Sequence, residues 1–154
     1  MLATRMAADR LILDRFIPYR LSIASNLVSD VIARAYESLF GLTIPEWRLV
    51  AVAAENDGIT QHAIGIATRM DKVTVSRAAI ALGNRHLIER RPNPADRRSH
   101  LVVLTKDGRR LYASVAPKAL QLERRIFERF DVTALDSFMA MLREIESAAL
   151  DVAD

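Results

Sequence analysis

The chain contains no cysteine, and disulfide bonding, thiolate metal ligation and switching by thiol oxidation are excluded because each requires a thiol. Histidine is nearly as scarce. His62, His86 and His100 fall in different elements, each reading as a surface or interface residue, and no His-x-x-x-His spacing supplies metal ligands. Glycine and proline number five each, and none of the glycines builds a phosphate-binding loop. No convergent catalytic constellation is visible, so neither an enzyme nor a bound cofactor or metal is expected. No apolar run approaches the roughly 20 residues of a membrane-spanning helix. The opening MLATRMAADRLILDRF has Asp9, Arg10, Asp14 and Arg15 among its apolar residues and lacks a small-residue cleavage pattern, which makes it a poor secretory signal. A soluble cytoplasmic protein is the expectation. With 154 residues, 51% of them hydrophobic, no internal repeat and no low-complexity linker, residues 1–154 read as one domain with ample material for a core.

What the chain does have is polarised charge. Between Arg69 and Arg110 eleven Lys or Arg face four Asp or Glu, a local balance of +7, whereas the whole chain carries +3 and the remainder therefore −4. Polyanion binding depends on such a local patch, since affinity grows with the number of phosphates neutralised. Within the patch, Asp71 is a good N-cap for a helix opening at Lys72, and Val75, Ala78, Ala79 and Leu82 recur at helical spacing as a buried stripe. The outer face of its first turns is left to Lys72, Val73, Thr74, Ser76 and Arg77, short hydroxyls and an apolar group flanked by cations. Such a set suits base edges, thymine methyls and phosphates in a major groove.

Upstream, the turn residues Asn56, Asp57 and Gly58 precede Thr60, an N-cap for a short helix from Gln61 to Thr68 with Ile64 and Ala67 facing inward. Arg69, Met70 and Asp71 then connect the two helices. Two short helices so joined form a helix-turn-helix, in which the second enters the groove and the first, through Thr60 and Gln61, braces it on the backbone. Downstream, Leu87 to Arg91 and Leu101 to Leu104 are β-prone runs separated by Pro92, Asn93 and Pro94 and a charged tip, Ala95-Asp96-Arg97-Arg98. This hairpin reads as a wing carrying Arg90, Arg97 and Arg98, with Asp96 placed to hold the Arg98 guanidinium.

The ordered set DKVTVSR, LIERRPNPADRRSHLVVLT and Thr105-Lys106-Asp107-Gly108 resembles the MarR family of winged-helix bacterial transcription regulators. Asp96, Arg98 and Ser99 match that family's Asp-x-Arg-Ser/Ala wing pattern, and Leu104, Thr105 and Gly108 match its Leu-Thr-x-x-Gly pattern. The similarity extends through LFGLTIPEWRLVAVAAE and the terminal helices, roughly residues 11 to 150. Two positions depart from it: Arg69 stands where many members carry a small turn residue, and His86 where glycine is common at the end of the recognition helix. A positive φ at His86 would be mildly strained. The resemblance implies a mainly α fold with a small β-hairpin, a DNA-binding lobe over about residues 42–106, and long dimerisation helices over about 11–40 and 107–150.

The outer segments agree with that layout. Ile23, Ala24, Leu27, Val28, Val31, Ala35 and Leu39 describe a helix from Pro18 to Phe40. Leu111, Val115, Leu120, Leu122, Ile126 and Phe130 mark a second, kinked at Pro117, and Leu135, Phe138, Met141, Leu142 and Ile145 a third, from Ala134 to about Leu150. Most of these apolar residues are expected to complete the chain's own core. The resemblance further implies that the terminal helices interleave across a two-fold axis, with Leu135, Phe138, Leu142 and Ile145 in the dimer interface. By the same analogy, Tyr19, Arg20, Trp47 and Arg48 would wall an effector pocket for an aromatic acid or another amphipathic compound. The expected function is thus a homodimeric regulator, most often a repressor, on pseudo-palindromic double-stranded DNA. The alternative is a winged-helix module for protein or small-molecule binding without sequence-specific DNA recognition, which would not need Arg90, Arg91, Arg97 and Arg98 clustered on one hairpin.

Overall fold

The computed structural model describes residues 10–154. The signal-peptide reading falls mostly on residues 1–9 and so lies outside the described residues. After a short 3₁₀ turn at Leu13–Arg15 come helices α1 (Ile17–Phe40), α2 (Ile44–Ala54), α3 (Gln61–Thr68) and α4 (Lys72–Asn84). An antiparallel hairpin follows, β1 (Ile88–Pro92) with β2 (His100–Leu104), and then helices α5 (Lys106–Phe127) and α6 (Val132–Ala153). The strand register pairs Ile88 with Leu104, Arg90 with Val102 and Pro92 with His100. The strands therefore begin one residue later than the β-prone runs on the first side and one earlier on the second. Pro92 is accommodated because it ends its strand.

The mainly α winged-helix fold expected from the sequence is what forms, and local chemistry explains its boundaries. Thr43 and Glu46 form a reciprocal capping box at α2, the Thr43 hydroxyl accepting from the Glu46 N–H and the Glu46 carboxylate from the Thr43 N–H, both at 3.3 Å. Gly41, at φ 63°, closes α1 in the left-handed conformation. Among the described residues two non-glycines share that conformation, Arg69 at φ 56° and His86 at φ 57°, so the strain expected at His86 is present. α5 runs through Pro117 as one helix in its range. The chain comprises two compact units, residues up to Pro117 and residues Lys118–Asp154.

In the first unit the core is built from Leu42, Leu49, Val50, Ile64, Val75, Ala78, Ala79, Leu82, Val102 and Val115, all almost fully buried. The stripe predicted on α4 is thus the face that packs inward. Ala67 corrects the reading of α3: it is exposed, and Ile64 alone of the predicted pair is buried, because a helix of two turns can turn only one narrow edge to the core. Gly108, in the first turn of α5, has no room for a side chain, since a Cβ there would land on the Leu87 carbonyl oxygen. Gly108→Ala should therefore lower stability by about 1–3 kcal/mol, read as a reduced midpoint in chemical denaturation.

The expectation that the outer helices mainly complete the chain's own core is overturned for α1 and α6, whereas α5 buries Val115 and Leu122. None of the seven apolar residues that mark α1 is buried, Tyr36 being that helix's only buried residue, and α6 buries none. Leu27 is 64% exposed and Phe138 45%. In the second unit, Phe127, Phe130, Leu135, Phe138, Met139 and Leu142 line an apolar groove of about 630 Å³. A single chain supplies nothing to cover these faces among its described residues, and contiguous apolar surface of this kind marks an interaction site.

Candidate nucleic-acid interface

The two short helices are held in register by their caps. The Thr60 hydroxyl accepts from the Ala63 N–H at 3.1 Å, and the Asp71 carboxylate from the Thr74 N–H at 2.7 Å. Those backbone and side-chain hydrogen bonds to Thr74 hold the Asp71 carboxyl below the usual carboxylate range, ahead of a small opposing effect of burial. The cap is consequently intact above the ordinary carboxylate range and is lost as pH falls through the lowered value. Beyond it, Lys72, Val73 and Arg77 are exposed and Thr74 and Ser76 half-buried, on the face of α4 opposite its core stripe. Val73, an apolar residue at 57% exposure, has no packing role to explain it.

The wing is fastened to this helix by Thr105. Its hydroxyl donates to the His86 carbonyl at 2.7 Å and accepts from the Gly108 N–H at 3.0 Å, while its own N–H donates to the Leu87 carbonyl at 3.0 Å. One residue thus joins the end of α4, the hairpin and the start of α5. Replacing it by valine, which keeps the shape but removes both hydroxyl bonds, should cost about 1–2 kcal/mol in denaturant unfolding. On the other side, Ile59 and Val102 exchange both backbone hydrogen bonds, at 3.1 and 2.8 Å. This bridge sets the start of α3 against β2.

At the wing tip the Asn93 side chain accepts from the Ala95 N–H at 3.1 Å and donates to the Ser99 hydroxyl at 2.9 Å. Asp96 corrects the sequence reading, because its carboxylate accepts from the backbone N–H of Arg98 at 2.9 Å and does not hold the guanidinium. The Asx turn fixes the chain, which leaves the exposed Arg97 and Arg98 side chains without a carboxylate partner among the described residues.

Two clefts open between these elements. The smaller, about 220 Å³, is lined by Thr60, Gln61 and His62 at the start of α3 and by Arg90, Arg98, Ser99, His100 and Val102 of the wing. The larger, about 650 Å³, lies between α3 and α4 and includes Gln61, His62, Arg69, Asp71 and Lys72. Thr60, Gln61, Arg90 and Arg98, expected at the interface from sequence, therefore meet at one cleft, and Gln61 is shared with the second, beside Lys72. Val73, Thr74, Ser76, Arg77, Asp96 and Arg97 line neither. Arg85 was part of the basic run but is committed elsewhere: its guanidinium donates to the Phe40 and Gly41 carbonyls, both at 3.1 Å. It caps the end of α1, where a cation also meets the helix dipole.

The model of the MarR family matches residues 40–99, from the end of α1 through the wing tip. The chain belongs to the MarR family. It is 28% identical over 116 residues to the transcriptional regulator HosA of Escherichia coli O111:H-, a match covering 75% of this chain and 86% of that protein. Among solved structures, a MarR/EmrR family transcriptional regulator from Acinetobacter sp. ADP1 superposes with a TM-score of 0.84 at 23% identity, covering 92% of this chain and 99% of that one. CouR from Rhodococcus jostii RHA1, solved bound to p-coumaroyl-CoA, gives 0.79 at 24% identity, covering 88% and 95%. This MarR-family chain is a DNA-binding transcriptional regulator by family and relatives, and regulators of the family act as dimers. Among its described residues no helix is long and apolar enough to cross a membrane.

The four residues expected to wall an effector pocket sit in the first unit. Trp47 is stacked on Tyr112, centroids 5.8 Å apart, and tilted against Tyr36 at 5.6 Å. Burial raises the Tyr36 phenol above its usual value. Arg20 pairs with Asp14 at 3.3 Å, Tyr19 is half-buried and Arg48 exposed. None of the four lines the clefts or the groove described above.

Proposed function

We propose that this regulator represses transcription by binding a pseudo-palindromic operator as a cytoplasmic homodimer, each subunit laying α4 in a major groove and its wing alongside. The observation that carries this reading is the convergence of Thr60, Gln61, Arg90 and Arg98 on one cleft beside an α4 face free of core packing. Lys72, Val73, Thr74, Ser76 and Arg77 read bases and adjacent phosphates, Arg98 enters the minor groove, and Arg90 and Arg97 meet phosphate. Asp96 acts by shaping the tip. The uncovered apolar faces of α1 and α6, including Leu135, Phe138, Leu142 and Ile145, support a second copy as their partner. Release by a small aromatic or amphipathic ligand near Tyr19, Arg20, Trp47 and Arg48 draws support from the Tyr36–Trp47–Tyr112 aromatic stack and from the ligand-bound relative CouR.

Genome-wide mapping of bound DNA tests the reading. It should return a small set of sites sharing an inverted repeat, and purified protein should bind one of them with an affinity that falls steeply with salt. Sites without a common repeat, or binding indifferent to salt, would contradict it. The absence of cysteine adds a second expectation: binding should survive mild peroxide, apart from slow methionine damage. A rapid loss reversed by dithiothreitol would contradict that.

A further inference from the structure

His62 and His100 are 38 positions apart in sequence, yet both line the 220 Å³ cleft between α3 and the wing, together with Arg90 and Arg98. The Ile59–Val102 bridge brings them there, since His62 lies three residues after one partner and His100 two before the other. Both are exposed, and neither makes a side-chain hydrogen bond or ion pair among the described residues. No carboxylate lines this cleft. On its other side His62 faces the larger cleft, where the charged groups are Arg69, Asp71 and Lys72, and where Asp71 is already bonded to Thr74.

We infer that His62 and His100 are additional phosphate-contacting residues of the DNA interface, and that their protonation makes DNA binding tighten as pH falls. The inference rests on the proposed placement of α3 and the wing against DNA. A protonated imidazole is a cation able to pair with a phosphate alongside the two guanidinium groups of the cleft. A phosphate seated between α3 and the wing favours the charged imidazole, so protons are taken up with the DNA. Imidazole is the side chain whose ordinary titration falls between pH 5 and 8. The added affinity is therefore present at the acid end of that range and lost as pH rises through it.

His86 supplies an internal control, because it lies at the left-handed turn after α4 and lines neither cleft. The test is fluorescence anisotropy of a labelled mixed-sequence duplex at low, constant ionic strength from pH 8 to pH 6. It uses the full chain, its His62→Gln and His100→Gln single variants, their double variant, and His86→Asn, whose asparagine tolerates positive φ. The parent should tighten about five- to thirty-fold on going to pH 6, each single variant should lose part of the response, and His86→Asn should keep it. The double variant should be nearly flat, with circular dichroism at both pH values verifying its fold. A flat parent, or a double variant that keeps the parental response, overturns this inference alone. Absence of DNA binding by the parent at every pH overturns the interface reading and this inference with it.

Discussion

Removing residues from Asp131 onward should abolish high-affinity operator binding while leaving the helix-turn-helix and wing folded. The truncation deletes α6, none of whose residues is buried in the single chain, and leaves untouched the Thr105 clasp and the Ile59–Val102 bridge that set the wing. It also strips one side of the groove lined by Phe127 and Phe130, so monomer or aggregate should replace the dimer in sedimentation. One recognition helix with one wing neutralises only a few phosphates, and a lone subunit should bind with a dissociation constant of about 10⁻⁴–10⁻⁶ M. Specific complexes are about 10³-fold or more tighter. A truncated chain that still sediments as a dimer and binds operator at parental strength would remove α6 from the account.

The second large effect belongs to the wing. Arg98→Ala should weaken operator binding by about 1–3 kcal/mol and relax discrimination at the positions under the wing, because a guanidinium in a narrow minor groove reads groove width. Arg97→Ala should weaken all duplexes more evenly and flatten the dependence on salt. The contrast rests on position: Arg98 lines the cleft beside Thr60 and Gln61, whereas Arg97 stands at the tip outside it. With the Asp96 carboxylate engaged by the Arg98 backbone N–H, either alanine should leave the tip's Asx turn intact. Parental affinity in Arg98→Ala, with the dimer preserved, would contradict the wing assignment.

Where the sequence was legible, the signal was local. Thr60 and Asp71 could be read as caps because each needs only a hydrogen bond to a residue three positions on, and both bonds form. The α4 stripe was legible because its 3.6-residue period meets one continuous core. The positive φ at His86 came from a resemblance in register, and is present. What escaped depends on distance or turn geometry. Arg85 looked like one more cation of the patch, but it caps α1 across 44 and 45 positions of sequence. Asn93 looked like a breaker and instead organises the tip. Asp96 was paired with the wrong group of Arg98, since residues two apart in a turn present backbone to one another more readily than side-chain ends. The joint placement of His62 and His100 follows from a single isolated bridge that no periodicity announces. The apolar stripes of α1 and α6 were legible as stripes, but the burial expected of most of them in the chain's own core does not form, because a hydrophobic period marks a face as apolar without saying what covers it.

The measurement that bears most directly on two recognition helices reading one site is titration of a mapped operator against the same operator with about 5 base pairs inserted between its half-sites. Half-sites one turn apart, about 10 base pairs, present both major grooves to one face of the duplex, and half a turn rotates one of them to the opposite side. The full chain should bind the altered duplex about 10³-fold more weakly, close to its affinity for unrelated DNA. Equal affinity for the two duplexes would contradict the dimeric two-half-site mechanism.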